Sequence, residues 1–197
     1  AQSSYTSPNQ LEIAYGDKST PKIIDSSTLS GGTLGGILAF RNETLDTVQN
    51  QIGQLAVTLA TQFNEAQQNG YDLNGTAGVA LFNIPQPQAT SSANNVDKSK
   101  LATASFVPGQ SQQVTSSDYT LKYTGGQYNI IRNSDKTVTS TATLPITVDG
   151  IEFNVNTSTP AEGDEYMIRP TQGAAGKITL AFDDVEKLAL AERVDEN

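Results

Sequence analysis

The pattern of apolar positions is helical in one part of the chain and strand-like in another. From Thr33 to Gly70, Leu38, Leu45, Ile52, Leu59 and Ala66 recur every seventh residue, with Leu34, Val48, Leu55 and the stem of Arg41 at the half-heptad steps. The stretch has no interior proline, so the spacing predicts one helix from about Leu34 to Gln68, on the order of 50 Å long. A rod of that length needs partners along it. The apolar stripe reads first as the core of an intramolecular helical bundle, with contact to a neighbouring subunit as the alternative.

From Ser117 onward the period changes to two. In DYTLKYTGGQYNIIR a two-residue Gly125–Gly126 turn sets Tyr123 opposite Tyr128 and Leu121 opposite Ile130. In LPITVDGIEFNVN an Asp149–Gly150 turn sets Val148 opposite Ile151, Ile146 opposite Phe153 and Leu144 opposite Val155. An intervening strand from Thr137 to Thr143 and a closing one over Glu165 to Arg169 complete about six antiparallel strands.

The remaining segments carry weaker patterns. Leu11 to Ile24 predicts two short strands around a Gly16–Asp17 turn, with Pro21 restricting the second. Residues 25–32 are turn chemistry, whose Ser and Thr side chains can cap the helix, and Gly31, Gly32, Gly35 and Gly36 keep the helix start slim rather than forming a phosphate cradle. Asp72 to Gly75 imitates the start of a calcium loop. The closing carboxylate is missing and Leu81 stands there, so the segment reads as a turn. Leu81, Phe82 and Ile84 then fold back on the helix as an apolar clip, ended by Pro85 and Pro87. Residues between Gln86 and about Gln113 read as connecting chain with one short helical possibility around Val96 to Ala102. After Pro170, KITLAF predicts a strand and DDVEKLALAE a helix capped by Asp183 or Asp184.

The expected organisation is α+β. A strand and turn lead-in occupies 1–30, the long helix and its clip 31–85, a connecting segment 86–114, an inserted antiparallel β domain 115–170, and a return strand and helix 171–197. The abrupt start at Ala1 and the close just after a helical pattern read as a piece of a longer chain.

Composition then removes whole classes of chemistry. The chain of 197 residues has neither cysteine nor histidine, which excludes thiol nucleophiles, disulfides, Cys/His metal sites and histidine relays. A formal net charge of −9 without clustered Lys or Arg argues against nucleic acid and anionic membranes. No apolar run approaches a bilayer span and no signal pattern opens the chain.

The remaining acid–base candidates are Glu162, Asp164 and Glu165, which read as solvated charges around a turn rather than as a glycosidase pair. Tyr119, Tyr123 and Tyr128 read as cross-strand packing, with a carbohydrate platform as the alternative. Asn42-Glu43-Thr44 matches a glycosylation triplet inside a helix and is discounted. No catalytic, cofactor-binding or metal-binding residue is assigned.

The string GGTLGGILAFRNETLDTVQNQIGQLAVTLATQFNEAQQNGYDLNGTAGVALF resembles the bacterial flagellar hook-associated protein 1 (FlgK) family. Its marks are the Leu-Gly-Gly start, Phe40–Arg41, Ile52-Gly-Gln-Leu-Ala, Phe63–Asn64 and the Gly70 to Gly75 run. The segment GDEYMIRPTQGAAGKITLAFDDVEKLALA is similar to the return of that family's chain into its helical domain.

The resemblance implies an extracellular structural protein at the hook–filament junction, exported through the flagellar secretion apparatus. Implied partners are copies of itself, hook protein, the adjacent hook-associated protein and an export chaperone. It implies no catalysis and no cofactor, and a chain lacking the family's terminal helices is expected to be monomeric. Gln49, Asn50, Gln54, Gln62, Gln67 and Gln68 are then expected to offer hydrogen bonds in the tubular wall. The competing readings are a surface-exposed binding or adhesin module, whose β domain recognises glycan or host protein, and a carbohydrate-cleaving enzyme.

Overall fold

The computed structural model describes residues 2–3, 11–12, 14–15, 22–23, 31–92, 94–96, 99–156, 159–189 and 191–192. Two short antiparallel pairs lead, β1 (Gln2–Ser3) with β2 (Leu11–Glu12) and β3 (Ala14–Tyr15) with β4 (Lys22–Ile23). The second pair flanks the expected Gly16–Asp17 turn. That turn, Pro21 and the caps expected within 25–30 lie outside the described residues.

Helix α1 (Gly32–Ala39) starts behind Gly31, which supplies no side-chain cap. A π-helical turn, Phe40–Leu45, joins it to α2 (Asp46–Gln68). The chain is therefore helical from Gly32 to Gln68, as the spacing predicts. The π turn takes more residues per turn than an α turn and so rotates α2 relative to α1, interrupting the seventh-residue register between positions 38 and 45. The side chains of Leu34, Leu38 and Arg41 are not among those described.

Beyond α2, β5 (Gly70–Tyr71) leads into a tight turn in which Asp72 Oδ1 accepts the backbone N–H groups of Asn74 (2.9 Å) and Thr76 (2.8 Å). The carboxylate thus closes its own turn. The clip forms as β6 (Phe82–Asn83), held to α2 by one amide and one ring contact. Asn64 Nδ2 donates to the Phe82 carbonyl at 2.9 Å, and its Oδ1 accepts the Phe82 N–H at 2.7 Å. Phe63 meets the Phe82 ring edge-on, with centroids 6.1 Å apart.

Eight strands then build a two-sheet head: β7 (Gln88–Ser91), β8 (Ala102–Phe106), β9 (Tyr119–Thr124), β10 (Gln127–Arg132), β11 (Val138–Thr141), β12 (Ile146–Val148), β13 (Ile151–Val155) and β14 (Glu165–Arg169). One sheet runs β11-β10-β9-β14-β7 and the other β12-β13-β8, with every neighbour antiparallel. Both expected turns set the register. Gly125 and Gly126 (φ 63° and 73°) place Tyr123 opposite Tyr128 and Leu121 opposite Ile130, while Asp149 and Gly150 (φ 51° and 71°) place Val148 opposite Ile151 and Ile146 opposite Phe153.

Leu144 falls short of the predicted pairing with Val155. The β12 ladder begins only at Ile146, just after Pro145, and Leu144 packs against the core from outside it. Val155 pairs on its other side, with Ala102 of β8.

The segment expected to be connecting chain instead supplies two strands. The described residues between Val96 and Ala102 are not helical, and β8 sets Ala102, Ala104 and Phe106 opposite Val155, Phe153 and Ile151. Tyr119, Leu121, Ile130, Ile151, Phe153, Tyr166 and Ile168 form the buried centre, with Tyr119 and Phe153 packed edge-to-face at 5.3 Å.

The return path corrects a second expectation. The predicted strand appears as β15 (Thr179–Leu180) against β6, but the helix predicted from Asp183 is a single 3-10 turn, Val185–Lys187. Asp184 caps it by accepting from the Glu186 N–H. The chain then extends into β16 (Ala191–Glu192) beside β5. The physical reason is Gln67 of α2, whose Nε2 donates to the Lys187 carbonyl (2.6 Å) and whose Oε1 accepts the Ala189 N–H (3.1 Å). Backbone groups gripped from outside in this way are taken from any continuing helix.

Candidate functional site

Helix α2 carries two stripes with the same 3-4 spacing, and they face opposite ways. Leu45, Val48, Ile52, Leu55 and Leu59 form the apolar one. Asn50, Gly53, Val57, Ala60, Asn64 and Gln67 form the other, set about 140° around the helix because each begins five residues from its counterpart. The second stripe is the one turned inward. Val57 and Ala60 are 0% and 5% exposed, whereas Ile52, Leu55 and Leu59 are 55%, 69% and 51% exposed.

The expected intramolecular bundle core is therefore not formed by the described residues. The apolar stripe lies on the outer surface, continued by Phe63 and, before the π turn ends, by Ile37 and Phe40. The inner face combines the buried Val57 and Ala60 with directional hydrogen bonds from residues in the stripe and beside it. Asn50 Nδ2 donates to Asp118 Oδ1 at 3.0 Å, Gln54 Nε2 to the Val114 carbonyl at 2.6 Å and Thr58 Oγ1 to the Ser111 carbonyl at 3.4 Å. Arg169 Nε lies 3.4 Å from Asp118 Oδ2.

Between these contacts Gly53 presses its backbone on Thr171. A Cβ at position 53 would collide with the Thr171 carbonyl oxygen. Burial is the strongest influence on Asp118 and raises its pKa, with Arg169 pulling the other way. Asn50, Gln54 and Gln67, expected to face a wall of neighbours, are thus spent inside the chain. Gln49, Gln62 and Gln68 remain exposed.

The carboxylates before β14 diverge. Glu162 Oε1 accepts the Thr124 hydroxyl (2.6 Å) and the Gly125 N–H (2.9 Å), clasping the hairpin turn, and these bonds lower its pKa. Asp164 is buried and accepts the N–H groups of Val96 (2.8 Å) and Ala161 (3.0 Å). Glu165 pairs with Lys122 Nζ at 2.6 Å. Each holds a different piece of backbone or side chain, and the arrangement presents no facing pair across a cleft.

Tyr123 and Tyr128 pack as a cross-strand pair, with centroids 4.9 Å apart and planes at 56°, so they make no flat stacking platform. The strongest polar cluster in the head is one that the sequence did not single out. Asp149 accepts from the Tyr119 hydroxyl (2.6 Å) and from Arg132 Nε (2.9 Å) and Nη2 (2.6 Å), tying the β12–β13 turn to the opposite sheet. Arg132 also reaches Asp135 at 2.9 Å, and the two carboxylates raise its pKa. Among the described residues no group of His, Cys, Asp and Glu converges as a metal site, and no helix is long and apolar enough to cross a membrane.

A helical column with its apolar stripe outward, carrying an inserted double-sheet head, defines an α+β module with an exposed apolar helix face. Family models describe the same two parts. Residues 1–82 match the flagellar hook-associated protein FlgK helical domain, and residues 90–170 match the D2-like domain of flagellar hook-associated protein 1. The chain belongs to the FlgK family.

It is 31% identical over 188 residues to flagellar hook-associated protein 1 of Salmonella typhimurium, covering 93% of this chain and 34% of the relative. Against the Escherichia coli K12 protein the identity is 33% over 192 residues, covering 95% and 34%. The solved flagellar hook junction protein FlgK from Burkholderia pseudomallei superposes with a TM-score of 0.85 at 31% identity, covering 96% of this chain and 36% of that one. The chain thus spans about a third of the length of the relatives it matches.

Proposed function

We propose that this chain is part of a structural protein of the bacterial flagellum, acting at the junction that joins hook to filament, outside the cell after export. The observation that carries this is the agreement between the FlgK domain matches, in order along the chain, and an outward apolar stripe that gives the column a surface for assembly. The role is mechanical rather than catalytic.

The stripe from Leu45 to Leu59 packs against helices of the same protein beyond this segment or of a neighbouring copy, and hook protein and the adjacent hook-associated protein are the further partners. An export chaperone holds the chain before assembly. The absence of cysteine suits such a route, since no disulfide locks the chain before it passes the channel.

The test is deletion of the full-length gene and its complementation. Deletion should leave hooks without filaments and release monomeric flagellin into the medium, and the wild-type gene should restore filaments. A complementing gene carrying Leu55→Asp should be exported yet fail to restore normal filament attachment. Normal filaments in the deletion strain would refute the proposal.

A further inference from the structure

The head is joined to the column by two covalent crossings and one narrow patch of side-chain contacts. The outgoing crossing runs from Ile84 to Pro87 and the return leaves β14 through Pro170 and the buried Thr171. The patch spans Asn50 to Thr58, about 12 Å of helix. Among the described residues its hydrogen bonds reach the turn from Ser111 to Asp118, its closest backbone contact is with Thr171 just past β14, and beside it Val57 shares the lining of a small cavity with Phe106, Val107 and Pro108.

We propose that this patch is a lock on the head's angle: Gly53 seated on the Thr171 carbonyl is its pivot, and the hydrogen bonds of Asn50, Gln54 and Thr58 are its catches. The chemistry of the patch carries the inference. Two apolar surfaces slide past one another at little cost, whereas hydrogen bonds between side chains and single carbonyls are satisfied at one angle. The contact on Thr171 has no slack either, because glycine alone lets the helix backbone reach it.

Most of the hydrophobic centre of the head, Tyr119, Leu121, Phe153, Tyr166 and Ile168 among it, takes no part in these hydrogen bonds, while Val114, whose carbonyl Gln54 holds, is shared by the centre and the patch. Opening the lock therefore leaves that centre intact and frees the head to turn as a rigid body on its two crossings. The inference rests on geometry within the chain and is independent of the flagellar role.

Because the chain has no cysteine, introduced pairs report distances cleanly. Spin labels at Gln62→Cys on α2 and Ser140→Cys on β11 measure column to head, and labels at Ser140→Cys and Thr147→Cys measure across the head alone. In the otherwise wild-type 197-residue chain both distance distributions, read by pulsed electron resonance, should be single and comparably narrow. Gly53→Ala should shift the column-to-head distribution or at least double its width and leave the head-internal one unchanged.

The double variant Asn50→Ala/Gln54→Ala, which adds no atom at the contact, should broaden the same distribution to a smaller degree. It decides the matter if Gly53→Ala does not fold. A column-to-head distribution unchanged in the variants, already broad in the wild type, or broadened together with the head-internal one would overturn the proposal.

Discussion

The head and the column use hydrophobic residues in opposite directions. In the head, Leu121, Ile151, Phe153 and Ile168 are fully buried between two sheets. On α2, Ile52, Leu55 and Leu59 are more than half exposed, while the buried face combines Val57 and Ala60 with Asn50, Gly53 and Gln67. The head closes its own core and stabilises itself. The column holds the head through polar contacts set around the buried Val57, and its apolar stripe stays exposed. An apolar period in a sequence therefore marks a face of a helix without saying whether that face is the one the same stretch of chain buries.

The sharpest way to break this contrast is to cut into the head. Phe153→Ala removes a fully buried ring packed on Tyr119 and should cost about 3–5 kcal/mol in urea unfolding, enough to lose cooperative folding of the head. Next in size is Asp149→Ala, which leaves the Tyr119 hydroxyl and the Arg132 guanidinium without their shared acceptor. A loss of about 2 kcal/mol is expected by the same measurement, without loss of either sheet in circular dichroism.

The joint should respond to pH in the opposite sense to the hairpin turn. The folded pKa of Asp118 is raised, chiefly by burial, so its favourable contribution is complete below the unfolded value and is lost as pH rises through the folded value. The stability difference between wild type and Asp118→Asn should therefore move against the wild type from about pH 4 to pH 7. Movement in its favour would mean that Arg169 outweighs burial.

Glu162 is held low by Thr124 and Gly125, so its contribution is present above the unfolded value and is lost as pH falls through the folded one. Smallest of all should be the effect of Leu55→Gln on this chain. At a side chain 69% exposed, the change in unfolding free energy should stay within about 0.5 kcal/mol. A cost as large as that of Phe153→Ala would show that the outer stripe is buried after all.

Much of the head was legible in the sequence, because two-residue turns at Gly125–Gly126 and Asp149–Gly150 fix which residues face each other before any tertiary contact is known. The strands β7 and β8 were not legible. QATS and ATASF carry mostly small and polar side chains, and they become strands only because the large residues of β13 and the free edge of β14 await them. The 3-10 turn at Val185–Lys187 was hidden for a related reason, since its sequence favours a helix and Gln67, over a hundred residues earlier, holds its backbone open. The cluster around Asp149 left one trace in the sequence, an Asp before Gly in a hairpin turn. Nothing local announced that its carboxylate would serve Tyr119 and Arg132.

Local rules, acting over a few residues, were enough to determine the continuous helix from Gly32 to Gln68, the two tight turns and the pairing across them. Which face of that helix meets the head was decided only in three dimensions. Two stripes of identical period run along α2, and hydrophobicity alone favours the wrong one. The right one is selected where its own Asn64 and Gln67 meet the Phe82 and Lys187 carbonyls, while Gln54 and Thr58 on its flank meet those of Val114 and Ser111.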